Sequence, residues 1–323
     1  MKQIFVRIAW AVAGLVLAAG FAPVAMAQAW PAKPIKVVIG FPPGTIIDAT
    51  MRLVGAEMEK KLGQQIVLEF KPGANGTIGA KAVVTAPPDG YTLSYGNSVS
   101  IHPLFTRNNA VDVTKEMVSV SNVMTTPFYF IASGKLPARN FDELLKFART
   151  KPDGLAQGNS VEVIDLIFGM LKDRTGFISR SIPYKGSSQV VVAMLAGEVD
   201  VTIGSILAYI PHVTAGTVRP MFILSASRHP QFPNLPTAAE VGIPNFELAL
   251  DYGLWAPPGT PNEIVQRLAV EAATGARVPS VAEQIRKLGS EPVGSTSEEQ
   301  LRTFNGQMKV WADAIQRSGF KPK

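Results

Sequence analysis

His102, His212 and His229 are the chain's three histidines, and the chain has no cysteine. Each histidine adjoins a proline and none repeats at a metal-ligand spacing, so solvent-facing loop positions are expected for all three. The missing thiol excludes a disulfide scaffold, a zinc–thiolate or iron–sulfur centre and a cysteine nucleophile. Gly73, Gly76 and Gly79 follow a G-x-x-G-x-x-G spacing, which is not the dinucleotide fingerprint. No phosphate-cradling G-x-x-x-x-G-K-[ST] occurs, and no G-x-S-x-G nucleophile elbow. The chemistry that remains is binding. Thr45, Thr77, Ser98, Ser160, Ser187 and Ser205 each follow a strand-like run and open a new segment. A helix start has unpaired N–H groups and a partial positive charge. Several starts aimed into one cleft would hold a carboxylate with no metal and no buried arginine. Each of these residues is also an ordinary helix cap. Their recurrence is what points to an anion cleft.

Thr45 and Asp48 have capping-box spacing, which gives Asp48 a structural role rather than a catalytic one. Pro42-Pro43-Gly44 just before them stiffens the loop and leaves the backbone approachable at Gly44. Phe41 on the same loop is either an apolar wall of the cleft or a core residue. Core packing is the simpler role for Tyr95, Tyr184, Tyr209, Tyr252 and Trp255.

The elements that would position these loops follow a strand–loop–helix rhythm. Residues 35–40 read as a strand, 45–62 as a helix, 65–70 as a strand, 77–85 as a helix and 92–96 as a strand. A second set begins near residue 128, with strands at 128–132, 155–158, 199–203 and 218–225 and helices at 140–150, 160–174 and 188–196. Three late helices carry apparent start boxes at Thr260-Pro261-Asn262-Glu263, at Ser280 with Glu283, and at Ser297 with Gln300. The βα alternation predicts an α/β protein of two lobes, each a mostly parallel sheet flanked by helices. The chain would cross between the lobes near residues 120–127 and 250–256. Ligands in such sheets collect at the carboxyl ends of the strands.

The N-terminus has the pattern of a cleavable export signal. Lys2 and Arg7 precede an uncharged apolar run over residues 8–21, and Ala25-Met26-Ala27 is a small-x-small cleavage site. Removing residues 1–27 lowers the formal charge from +6 to +4, with the remaining basic residues scattered. A nucleic-acid partner is therefore not expected. At 46% hydrophobic residues the chain has ample material for a core, so general disorder is excluded.

The stretch WPAKPIKVVIGFPPGTIID, residues 30–48, resembles the start of the Bug-type receptors of tripartite tricarboxylate transporters. KPGANGTIGA at 71–80, PDGYTL at 88–93, PYKGSSQVVVAMLAGEVD at 183–200, LPTAAEVG at 235–242, YGLWAPPGTP at 252–261 and WADAIQRSGF at 311–320 extend the resemblance, in order, over the mature length. It implies a monomeric periplasmic solute-binding receptor of the type II-like two-lobed form. Such a receptor needs no cofactor, closes around a small organic acid and delivers it to the transporter's membrane subunits. The lobes would be residues 28–124 with 253–323, and residues 125–252. The first-lobe loops implied at the ligand carry Phe41, Pro43, Gly44, Thr45, Ala74, Asn75, Gly76, Asn97 and Ser98. The second lobe would contribute Gln157, Asn159, Ser160, Gly186, Ser187, Gly204 and Ser205.

Three departures from the family pattern stand out. Thr45-Ile46 replaces a small polar pair. Val161-Glu162-Val163-Ile164-Asp165 replaces a helix start that often carries small polar residues and a histidine. Gly204 stands where an Asp is common. Added apolar surface at Ile46 and Val161, with an acid removed at Gly204, suits a bulkier or aromatic acid. A periplasmic enzyme on the same frame, or a sensor for a membrane signalling protein, is the alternative. The lack of a nucleophile–base–orienter set argues against the enzyme. Mass spectrometry of the exported protein is expected to find Gln28 at or near the N-terminus. An intact Met1 in the membrane fraction would instead show an uncleaved anchor.

Overall fold

In the computed structural model, which describes residues 30–106, 110–161 and 163–318, the apolar run IKVVI forms β1 (Ile35–Ile39). The expected leader, residues 1–27, and Glu162 lie outside the described residues. A compact unit starts at Lys33. After β1 come α1 (Ile46–Leu62), β2 (Ile66–Phe70), α2 (Thr77–Val84), β3 (Thr92–Asn97), α3 (Val113–Glu116) and β4 (Val118–Pro127). The middle of the chain forms β5 (Tyr129–Ser133), α4 (Phe141–Ala148), β6 (Leu155–Asn159), α5 (Val163–Thr175), β7 (Ser179–Pro183), α6 (Ser187–Ala196), β8 (Val201–Gly204), α7 (Ile210–Thr214) and β9 (Val218–Ile223). The chain then returns through β10 (Ala249–Ala256), α8 (Asn262–Arg277), α9 (Pro279–Lys287), β11 (Glu291–Pro292) and α10 (Ser297–Ser318).

Two sheets result, one per lobe. The first has strand order β11-β4-β10-β3-β1-β2 and the second β7-β6-β8-β5-β9. Both are mixed. β1 runs parallel to β2 and β3, whereas β10 is antiparallel to β3 and β4. β6 is parallel to β7 and β8, and β5 antiparallel to β8 and β9. The two-lobed α/β plan therefore holds with less parallel pairing than the βα rhythm suggests. β4 and β10 account for much of this: they carry the chain towards and away from the second sheet, so they run in opposite directions when they pair.

β4 does not read as a strand in sequence because it is buried on both faces, which erases the alternation of a half-buried strand. It also buries Ser119, Ser121, Asn122 and Thr126. The C-terminal segment satisfies the three hydroxyls and the Asn122 N–H, while Asn122 Oδ1 stays buried without a partner among the described residues. Ser119 Oγ donates to the Ser297 carbonyl (2.9 Å) and Ser121 Oγ to the Ser295 carbonyl (2.6 Å). The Asn122 N–H donates to Ser295 Oγ (2.8 Å), and Thr126 Oγ1 shares a hydrogen bond with Ser290 Oγ (2.7 Å). Buried polar groups left without such partners would each cost about 1–3 kcal/mol.

The late helices start differently from the sequence boxes. α8 begins after Pro261 with no side-chain cap, and Thr260 Oγ1 donates instead to the Pro257 carbonyl (2.8 Å). α9 begins at Pro279, so Ser280 is already inside it. At α10 the box lies one residue earlier. Thr296 Oγ1 accepts from the Glu299 N–H (3.2 Å) while Glu299 Oε2 accepts from the Thr296 N–H (2.9 Å). Ser297 is taken by β4, donating to the Ser119 carbonyl (2.6 Å). In the second lobe Phe130 stacks on Phe222 (5.1 Å between centroids) and meets Phe141, Phe168 and Phe177, which ties β5 and β9 to the covering helices.

All three histidines depart from the expected exposed loops: His212 lies half-buried in α7, and the other two are more deeply buried. His102 is largely buried beside Phe304, and His229 is 2% exposed. His229 follows β9, with its ring edge-on to Tyr129, and its Nε2 lies 3.4 Å from Glu291 Oε1 on β11 of the other sheet. Arg286 holds the second oxygen of Glu291 (3.2 Å). Burial lowers the His229 pKa from its ordinary 6.5, with the Glu291 carboxylate opposing that shift and Arg286 assisting it. A His with a depressed folded pKa binds its proton more tightly when unfolded. Its contribution to stability is therefore complete above about pH 6.5 and is lost as pH falls through the lower folded value. His102 is lowered by burial too and acts in the same direction. Thermal unfolding across this range is expected to show a falling midpoint towards acid and a shallower fall in His229→Gln. An unchanged slope in that variant would mean His229 does not contribute.

Candidate ligand cleft

β1, β3 and β6 end facing a cleft of about 570 Å³. Phe41, Asn75, Asn97, Val99, Ser100, Phe105 and Leu250 form its first wall. Asn159, Ser160, Val161, Val163, Asp165, Pro183 and Tyr184 form the second. Of the loop residues singled out in sequence, the cleft gathers Phe41, Asn75, Asn97, Asn159 and Ser160. Two other depressions, about 330 Å³ beside Glu291 and about 550 Å³ between α5 and α10, hold none of those loop residues.

The remaining candidates stand behind or beside the wall. Thr45 caps α1, its Oγ1 accepting from the Asp48 N–H (3.5 Å). Asp48 Oδ2 accepts in turn from the Gly44 N–H (2.8 Å), and its carboxylate pairs with Arg52 (2.7 Å). The loop with Pro43 and Gly44 thus spends the Gly44 N–H on its own helix start. Ala74, Asn75 and Gly76 have φ of 45°, 55° and 98°, and the Gly76 N–H donates to the Gly73 carbonyl (3.0 Å). Ser98 is 5% exposed and lines a void of about 20 Å³ under Phe41, together with Tyr95 and Trp255. Gln157 is buried. Gly186 and Ser187 open α6, with Ser187 Oγ 3.5 Å from Ser160 Oγ. Gly204 ends β8, and Ser205 Oγ accepts from the Leu207 N–H (3.4 Å) at a 3-10 turn. Ser98 and Ser205 do not open α-helices, and Thr77 is buried with Oγ1 donating to the Ala74 carbonyl (2.8 Å). The six starts are therefore not gathered in this cleft, where Ser160 alone of them reaches the wall.

Close backbone contact builds the first wall. A Cβ on Gly40 would lie 2.6 Å from Gly76 Cα, and one on Gly79 would lie 2.8 Å from Gly40 Cα. Glycine alone permits this approach between the loop after β1 and the loop before α2. The Phe41 ring then covers Gly76, where a Cβ would sit 3.1 Å from Cε2.

Two asparagines face the cleft with opposite polarity. The Val99 N–H donates to Asn97 Oδ1 (2.8 Å), so Asn97 offers its N–H groups to the cleft. Asn159 Nδ2 donates to Asp165 Oδ2, and Gln157 Nε2 donates to Asp165 Oδ1 (2.6 Å). Asn159 is left with Oδ1, which is buried and unpartnered. Among the described residues no Lys, Arg or His lines the cleft, and Asp165 is its one acidic residue. Partial burial, with Glu198 assisting, raises the Tyr184 hydroxyl above its usual value, so it stays neutral near pH 7. Val99, Ser100, Phe105, Val163, Pro183 and Leu250 are wall residues that motif reasoning missed. They are common residue types with no distinctive spacing.

The profile of the tripartite tricarboxylate transporter family receptors matches residues 50–320. Protein BugT of Bordetella pertussis is 30% identical over 322 residues, 97% of this chain and 98% of BugT. A protein from the tcbD-tcbE intergenic region of Pseudomonas sp. strain P51 is 32% identical over 292 residues, 89% of this chain and 87% of its own length. Among solved structures, R. palustris Rpa4515 with adipate has a TM-score of 0.79 at 30% identity, covering 91% of this chain and 100% of that one. MatC from Rhodopseudomonas palustris with bound malate has a TM-score of 0.72 at 26% identity, covering 88% and 100%. The periplasmic binding protein BugD gives 0.75 at 28%, covering 91% and 100%. With the family profile spanning most of its length, this chain belongs to the tripartite tricarboxylate transporter family receptors: it is a two-lobed solute-binding receptor, not an enzyme.

Proposed function

We infer that the chain is exported to the periplasm, captures a small organic carboxylate in this cleft and delivers it to the membrane subunits of a tripartite tricarboxylate-type transporter. The observation that carries the ligand class is the Asn97 amide, whose oxygen is occupied by Val99 and whose N–H groups are what it offers the cleft. A carboxylate accepts hydrogen bonds and donates none, so a donor wall suits it. Adipate in Rpa4515 and malate in MatC are consistent with that class. Tyr95 and Trp255, whose Oη and Nε1 are buried and unpartnered, line the small void behind the wall, which has room for about one water molecule. Phe41, Val99, Phe105, Val161 and Leu250 supply apolar surface for the ligand's carbon skeleton.

Closure would bring the wall that carries Asn159, Ser160 and Tyr184 down on the wall that carries Phe41, Asn97 and Leu250. Ligand contact with both walls would favour the closed form, because a ligand shifts a conformational equilibrium by its differential affinity. Thermal shift against mono-, di- and tricarboxylates identifies binders, since a ligand of the folded state alone raises apparent stability. Small-angle scattering with the best of them is expected to show a smaller radius than without. Asn97→Asp keeps the acceptor for Val99 and replaces the donor by a negative charge. Calorimetry is expected to show binding at least about tenfold weaker, since hydrogen bonds to charged groups carry about 1.5–3 kcal/mol. Unchanged affinity would take the carboxylate off the first wall.

A further inference from the structure

The second wall has the opposite chemistry to the first. Ser179 Oγ donates to Gln157 Oε1 (2.6 Å), and Gln157 Nε2 donates to Asp165 Oδ1 (2.6 Å). Asn159 Nδ2 donates to Asp165 Oδ2. An ionised carboxylate only accepts, so this relay cannot be reversed by flipping either amide. Its end members are acceptors: the Asp165 oxygens, each with a lone pair beyond the bond it already accepts, on an exposed residue that lines the cleft, and Asn159 Oδ1, a buried atom of a second lining residue. Asn159 is 6% exposed, lines the cleft, and its Oδ1 has no partner among the described residues. A buried acceptor in that state is costly until a donor reaches it. The other polar groups of this wall, the Ser160 and Tyr184 hydroxyls, donate or accept and do not change its sign. Asp165 carries negative charge, and no basic side chain of the described residues lines the cleft to offset it.

We propose that Asp165 and Asn159 form a subsite for an ammonium group, so that the ligand is an amino-carboxylate spanning the cleft, its carboxylate on Asn97 and its amine on Asp165. The proposal rests on the carboxylate reading of the first wall. A dicarboxylate or tricarboxylate of the same length would place a second anion against the Asp165 carboxylate, where like charges repel and only the Ser160 and Tyr184 hydroxyls could donate to it. The wall therefore selects by the sign of the ligand's far end. The Asp165 side chain is exposed on α5 and accepts from the buried Gln157 and Asn159 amides, so its replacement by Asn removes the charge and one of those acceptors while the apolar core is untouched.

The test uses the mature protein with 4-aminobutanoate, 6-aminohexanoate and 8-aminooctanoate, each set against the dicarboxylate and the simple monocarboxylate of equal length. At the length that fits, wild type is expected to bind the amino acid at least about tenfold more tightly than either counterpart, the scale of one charge-assisted hydrogen bond. Asp165→Asn is expected to lose that preference, and Asp165→Lys to shift it to the dicarboxylate, each measured below its own ligand-free melting midpoint. Equal or tighter wild-type binding of the dicarboxylate at every length would overturn the amine subsite and leave the carboxylate reading standing. Retained amine preference in Asp165→Asn would do the same. Failure of every carboxylate, with or without an amine, would overturn both.

Discussion

The pairing of β4 with β10 is the constraint on which the rest of the receptor depends. These two strands form the middle of the first sheet and carry the main chain to the second. Their ladder runs to Pro127 opposite Ala249, and backbone hydrogen bonds continue past it. The Phe128 N–H donates to the Leu248 carbonyl (3.2 Å), the Leu224 N–H to the Phe128 carbonyl (2.8 Å) and the Leu248 N–H to the Leu224 carbonyl (2.9 Å). The waist between the strands is therefore tied by backbone hydrogen bonds. Register shifts opposite Tyr252/Gly253 and Leu254/Trp255 leave Val123 and Val120 as extra residues on β4, which bend that strand within the sheet. Because the ladder sets the position of both sheets, it also sets which strand ends face each other. The cleft walls then follow from where β1, β3 and β6 stop.

That arrangement explains why some of the molecule is legible in sequence and some is not. The strands and helices of the βα units stand out where glycine and proline punctuate clean apolar periods, as at β1, α1 and β2. The waist strands do not. β4 is covered on both faces and loaded with Ser119, Ser121, Asn122 and Thr126, whose partners lie more than 160 residues further along the chain. Nothing local announces that they are satisfied. The late helix boxes slip for a related reason. Ser297 has the right type and spacing, yet β4 claims its hydroxyl, and Thr296 takes the cap. His229 looks like a loop residue between prolines until β11 arrives beside it from the far end of the chain.

The site shows the same limit at the scale of one side chain. Asn97 and Asn159 are the same residue type and each ends a strand. One offers donors because Val99 occupies its oxygen, and the other keeps only an acceptor because Asp165 occupies its nitrogen. A sequence records the amide but not its sense, which is decided by the neighbour. The polar loop residues of the helix starts show the converse. Thr45, Thr77 and Ser205 match the pattern of ligand contacts, but their hydroxyls close turns and caps within their own loops.

The contact of Gly40 with Gly76 and Gly79 has a consequence for how this receptor can change. With main chain pressed against main chain, the shape of that corner is held by atoms every residue shares. Substituting its side chains alters little of the socket's outline, and enlarging its glycines forces the loops apart. The facing surface, where Ser160, Val161 and Asp165 line the cleft from a strand end and a helix start, has no such backbone lock. One side of the cleft is thus shaped by main chain, and the other by side chains.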